Sequence, residues 1–171
     1  MTIELQLKVH EQAVADGLPE KFQRLTAIGV VRKMVSELKR TGRRTGAGFY
    51  EYPAGQKKHL WPGLHDVFPV ARQQPNVEEV KTRLLYIQAM ESTRCLEEGV
   101  VEHAMDADIG AILGLGYPSW TGGPISLIDT VGIGTFVAEC ERLASAYGAR
   151  FKPSEALHER AQRSHPFYED A

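Results

Sequence analysis

GLGYPSWTGGP, residues 114–124, packs four glycines and two prolines around a tyrosine and a tryptophan. It is either a loop that cradles phosphate or a tight crossing between two helices. A dinucleotide-binding turn needs GxGxxG between a buried strand and a helix, because the glycines let pyrophosphate approach the helix start. Here Ser119 occupies the third glycine position, and no buried parallel strand precedes the stretch. GAGFYE has Glu51 and GIGTFV has Val137 at that position, and GxxxxGK[ST] does not occur. The stretch therefore reads as a helix stop, a crossing and a helix start. Gly122 and Gly123, just before Pro124, still offer N–H groups that an anion could use, which makes Gly122, Gly123 and Pro124 the candidate substrate-binding residues.

The flanks extend the helical reading. Upstream, MDADIGAIL predicts a helix with Asp106 as N-cap, Asp108 near its positive end, and Ile109, Ile112 and Leu113 facing inward. Gly114 and Gly116 stop it, and Pro124 suits the first position of the helix ISLIDTVG. GTFVAECERLASAYG follows, with Phe136, Val137, Cys140, Leu143, Ala144 and Tyr147 as its apolar stripe. Pro153 and Ser154 open a last short helix through Ala161. From Val77 to Glu98, apolar residues cover much of the circumference, which predicts a central, largely buried helix ended by Gly99. Val30, Val31, Met34, Val35 and Leu38 share one face of an earlier helix, and IELQLKV is read as helix rather than strand.

Residues 52–76, YPAGQKKHLWPGLHDVFPVARQQPN, carry four prolines, two glycines and no sustained period. They read as a long connector. The order helix, proline, helix, basic turn, FYE occurs on both sides of it, ending in FYEY and in FYED. The chain thus divides into a shortened first helical repeat at 1–52, a connector at 53–76 and a second repeat at 77–171. Its fold class is all-α, one and a half pseudo-repeats of a helical bundle.

Composition narrows the functions. With 171 residues, 43% hydrophobic and 25% charged, the chain can bury roughly 70% of its unfolded surface. A net charge of −2 gives no general attraction to nucleic acid or anionic lipid. No apolar run approaches the ~18 residues that span a bilayer, and MTIELQLKVH is not a signal peptide, so a cytoplasmic location is expected. Cys95 and Cys140 are read as buried free thiols, and the histidines never form HxxxH or HExxH, so no metal site is expected. His103 is read as a loop residue, and Glu91 as a structural anchor for a neighbouring loop. The basic KRTGRRTG, residues 39–46, is read as a solvated turn rather than a nucleic-acid grip. No catalytic residue emerges from spacing alone.

Two longer strings carry a family resemblance. GRRTGAGFYEYPAG, residues 42–55, resembles the signature that closes the helical domain of 3-hydroxyacyl-CoA dehydrogenases. RCLEEGVVEHAMDADIGAILGLGYPSWTGGPISLIDTVG, residues 94–132, resembles the second helical repeat of the multifunctional fatty acid oxidation enzymes, which join enoyl-CoA hydratase to 3-hydroxyacyl-CoA dehydrogenase. The resemblance implies structural roles for Gly48, Tyr50 and Asp129, beside that of Glu91. It also implies a bacterial β-oxidation enzyme whose NAD, with a catalytic His and Glu, belongs to an upstream Rossmann domain. This chain would then bind no cofactor itself, begin inside the first repeat of a longer enzyme, and be inactive alone. Its partners would be that NAD-binding domain, acyl-CoA and a thiolase subunit; self-association through uncovered Ile3, Leu7 and Val14 would make it, alternatively, a stand-alone interaction module. Two departures stand out: Leu113 precedes GLG where several relatives carry tyrosine, and YPSW with Trp120 replaces the family's FPPF.

Overall fold

The structure is a computed structural model that describes residues 3–19 and 25–168, with only the backbone given for Leu25 and Thr26; Glu169 and Asp170 of the second FYED tract lie outside the described residues. It is mostly helical and divides into two units, Met1–Gln73 and Gln74–Ala171.

In the first unit, α1 (Ile3–Ala15) packs on α2 (Leu25–Arg32). The buried residues of α1 are Leu7, His10 and Ala13, while Leu5, Val9 and Val14 are exposed. The expectation that Ile3, Leu7 and Val14 form one uncovered face is corrected accordingly, because α1 turns its Leu7 side to its helical neighbour. α2 contributes Val31 and then widens into a π-helical turn at Lys33–Glu37, where Met34 is fully buried. The turn closes through Arg40 N–H, which donates to Met34 O at 2.8 Å across Lys39 in the left-handed region (φ 57°).

Residues 52–76 are not a bare connector. Antiparallel β1 (Tyr50–Glu51) and β2 (His59–Leu60) pair Tyr50 with Leu60 and Glu51 with His59, and α3 (Leu64–Val67) follows. The division between the units, after Gln73, lies within residues 53–76. Arg40 holds this region together. Its Nε donates to Gly48 O at 2.8 Å, its terminal nitrogen pairs with Glu51 at 2.8 Å, and its guanidinium lies 4.2 Å from the Trp61 ring centre. Gly48 is confined as well, since a Cβ there would meet Gly42 Cα at 3.0 Å. Tyr50 is partly exposed beneath Lys58, 4.9 Å from its ring centre. Of the basic cluster, Arg40 is thus internal and Arg44 reaches Glu4 at 3.3 Å. Arg40→Lys keeps the charge but loses the planar fork and the stacking, so it should destabilise this unit by about 1–2 kcal/mol. Denaturant unfolding followed by Trp61 emission in a Trp120→Phe background reads that loss; an unchanged midpoint would remove Arg40 from this role.

The second unit begins with α4 (Val77–Glu97), capped by Asn76, whose side chain accepts from Glu78 N at 2.8 Å. Gly99, at φ 68°, ends it as expected. Only Ala89, Met90 and Thr93 of α4 are buried, and Val77 and Leu84 are exposed, so the largely buried helix is corrected to one that buries part of its C-terminal half. The apolar residues surround the helix, whereas its neighbours cover one side. Glu91 is also corrected: it is exposed and pairs with Arg94 at 2.8 Å. Arg94 is the loop anchor, donating to the carbonyls of Arg150 and Lys152, each at 3.3 Å.

Next come α5 (Ala104–Gly110), a π-helical turn at Ala111–Leu115, α6 (Pro124–Val131), α7 (Ile133–Tyr147) and α8 (Glu155–Gln162). α6 packs against α4, α5 and α7, and α8 against α7. Their core includes Met90, Ile125, Ile128, Phe136, Cys140 and Leu157, with Tyr86 and Phe136 ring centres 4.6 Å apart. Cys140 is buried, and burial pushes its thiol up to about 12; Cys95 is only half-buried. Ser154 caps α8 by accepting from Leu157 N at 3.1 Å. The two FY tracts are used differently: Tyr50 enters the hairpin, whereas the backbone N–H groups of Phe167 and Tyr168 donate to Asp129.

Candidate functional site

GLGYPSWTGGP is the crossing between α5 and α6. Gly116, at φ 73°, ends the π-helical turn, and Tyr117 N–H reaches back to Ala111 O at 3.0 Å. Tyr117 is buried, its hydroxyl donating to Leu85 O at 3.3 Å, and burial raises its ionisation above the ordinary tyrosine range. Thr121 then locks the approach to α6: its hydroxyl donates to Pro118 O at 2.7 Å and accepts from Gly123 N at 3.1 Å.

The centre of the crossing is Asp108, only 3% exposed. Its Oδ1 accepts from Ile125 N at 2.7 Å, and its Oδ2 accepts from Ser126 N at 3.1 Å, Ser126 Oγ at 2.6 Å and Tyr168 Oη at 2.7 Å. The carboxylate of one helix thus caps the start of another, where unpaired N–H groups and the helix dipole favour negative charge. Burial, and then the bond to Asp108, push the Tyr168 hydroxyl up to about 12. Gly123 (φ 123°) lies against this carboxyl so closely that a Cβ would overlap Cβ, Cγ and Oδ1 of Asp108.

A second carboxylate repeats the device. Asp129, on α6, accepts from Phe167 N at 2.9 Å and from Tyr168 N at 2.9 Å. Asp129 fastens the backbone of the C-terminal segment while Asp108 holds its tyrosine hydroxyl.

Several expected placements change. Asp106 is exposed, and the N-cap position of α5 is His103, which makes no side-chain capping bond. The inward face of α5 and its π-helical extension is Ala107, Asp108 and Ala111, while Ile109 and Leu113 are exposed and Ile112 is half-buried. The helix is rotated from the expected orientation because its small residues permit close packing and Asp108 must reach α6. The repeat Ala104, Ala107, Asp108, Ala111 was the available signal: an acid within a stripe of small residues at helical spacing.

The anion reading of Gly122, Gly123 and Pro124 is corrected at the level of donors. Gly122 N–H bonds Ser119 O at 3.1 Å, Gly123 N–H bonds Thr121, and Pro124 has none. The next two N–H groups bind Asp108. A dinucleotide pyrophosphate does not fit there, because the protein's own carboxylate fills the position and would repel it.

What the crossing exposes is apolar: Leu113, Leu115 and Trp120 are 81%, 80% and 77% exposed. A cleft of about 540 Å³ opens elsewhere in this unit, with Glu97, Glu102, His103, Arg160 and Arg163 along it. Its charges are mixed, and Arg160 is committed to the carbonyls of His165 and Pro166, at 3.3 and 2.7 Å. Among the described residues, no group of three or more His, Cys, Asp or Glu side chains could hold a metal ion, and no helix is long and apolar enough to cross a membrane. No protein-family model matches the chain.

Proposed function

We propose that this chain is the C-terminal helical part of an NAD-dependent 3-hydroxyacyl-CoA dehydrogenase of fatty acid β-oxidation, of the multifunctional type. One observation carries the reading. The residues on which the resemblance rests are those whose identity the geometry demands: Asp108 of DADIG, Gly123 of GGP, Asp129 beyond it, and Gly48 of TGAGFYEY. In this reading the string is an architectural signature that fixes helix crossings, and the chain supplies a helical body of the parent enzyme. NAD and the groups that handle the 3-hydroxyl proton belong to the NAD-binding domain of the parent enzyme. Asp108 is no candidate for that proton: it is buried and already accepts from four donors.

The test is NADH formation from 3-hydroxybutyryl-CoA, with the chain alone and with it fused in place of the corresponding segment of a multifunctional dehydrogenase. No turnover is expected from the chain alone, and turnover from the fusion. A folded but inactive fusion, or turnover by the chain alone, would overturn the assignment. The alternative, an interaction module, draws on the exposed Leu113, Leu115 and Trp120. Sedimentation that shows only monomer at every concentration would count against self-association.

A further inference from the structure

We infer that His158 is a proton-dependent clamp that fastens α8 to α7. The ring stands between two acceptors: Nδ1 is 2.8 Å from Ser154 O, and Nε2 is 2.8 Å from Glu141 Oε1. A carbonyl oxygen and a carboxylate oxygen can only accept, so each contact requires an N–H on the ring. Neutral imidazole has one N–H, whereas imidazolium has two. Loss of the proton leaves a nitrogen lone pair facing an oxygen lone pair at one end of the ring.

The surroundings favour the charged form. Glu141 from α7 and the Ser154 carbonyl raise the imidazole above its ordinary value, while partial burial and Lys152, in the segment before α8, oppose them. Glu97 of α4 is engaged by the Ser154 hydroxyl at 2.6 Å. Because the folded-state value is raised, the clamp is fully made below about pH 6.5 and is lost as pH rises through the higher folded value. α8 also forms one side of the 540 Å³ cleft, through Ala156, Leu157, Glu159 and Arg160, so the proton controls how firmly that wall is seated.

The experiment is long-range proton–nitrogen NMR of the histidine rings in the whole chain, with hydrogen exchange of the α8 amides. Both ring nitrogens of His158 should be protonated at pH 6, and the titration midpoint should lie above the ordinary histidine value. Glu141→Gln should lower the midpoint by about 0.2–0.7 pH unit, as for a partly exposed pair. Between pH 6 and 8.5, α8 protection corrected for intrinsic exchange should fall about two- to fivefold in the native chain, and stay flat in His158→Gln. A neutral single tautomer at pH 6, a midpoint unmoved by Glu141→Gln, or the same loss of protection in His158→Gln would overturn the clamp.

Discussion

Asp108→Ala is expected to destabilise the second unit by about 3–5 kcal/mol, the range reached when a buried, fully bonded polar group is removed. The substitution strips the cap from α6, worth about 0.5–2 kcal/mol by itself. It also strands the hydroxyls of Ser126 and Tyr168 in partly buried positions. Asp108→Asn should cost less, about 2–3 kcal/mol, since one carbonyl oxygen still accepts while the amide NH₂ faces a donor. Urea unfolding reads both, and a loss below about 1 kcal/mol for the alanine variant would remove Asp108 from the centre of this unit. A second readout is specific to the contact. Tyr168 ionises only near 12 in the folded chain, from burial first and the Asp108 bond second, so its midpoint should fall toward the ordinary tyrosine value in Asp108→Ala. A raised folded value means that the Tyr168 contribution is present below about pH 10 and lost as pH climbs toward 12. The alkaline loss of stability that Tyr168 contributes should therefore be smaller in the variant, whose folded and unfolded tyrosine values lie closer together.

Gly123→Ala should cost about 3 kcal/mol or more, for two separable reasons. The backbone at φ 123°, ψ 174° lies in a region that only glycine visits without strain, at about 1–3 kcal/mol. The added methyl must also displace the Asp108 carboxyl, whose bonds to Ile125 and Ser126 fix it in place. Gly122→Ala is the control. That residue is also at positive φ, 79°, but its nearest obstacle is Ser126 Cβ at 3.0 Å and the position is exposed. A cost of about 1–2 kcal/mol is expected there. If the two alanines destabilise equally, backbone strain accounts for both and the Asp108 contact adds nothing.

These sites separate what was legible in the sequence from what was not. The helices at Val77–Glu97, Pro124–Val131, Ile133–Tyr147 and Glu155–Gln162 follow from apolar period and from residues that act within a few positions: Gly99, Pro124 and Ser154. The absence of a strand–glycine–helix pattern at 114–124 was equally local. The hairpin of β1 and β2 was not visible, because two-residue strands carry no period and Arg40 must fold back on Gly48 and Glu51 to hold them.

Glu91 and Arg94 show the same limit on one helix. Both are polar residues on α4, and sequence reasoning chose the wrong anchor, since the carbonyls that select Arg94 lie 56 and 58 residues away. Asp108 is the sharpest case. Helical spacing could place it on α5, but its partners are 17, 18 and 60 residues further along the chain. The sequence by itself determined the helices at Val77–Glu97, Pro124–Val131, Ile133–Tyr147 and Glu155–Gln162, because apolar period and capping depend on neighbours within a turn or two. Only the tertiary structure decided which face of α5 is buried, which acid caps α6 and which glycine cannot change, because a buried polar atom must find its partner wherever the fold brings one within reach.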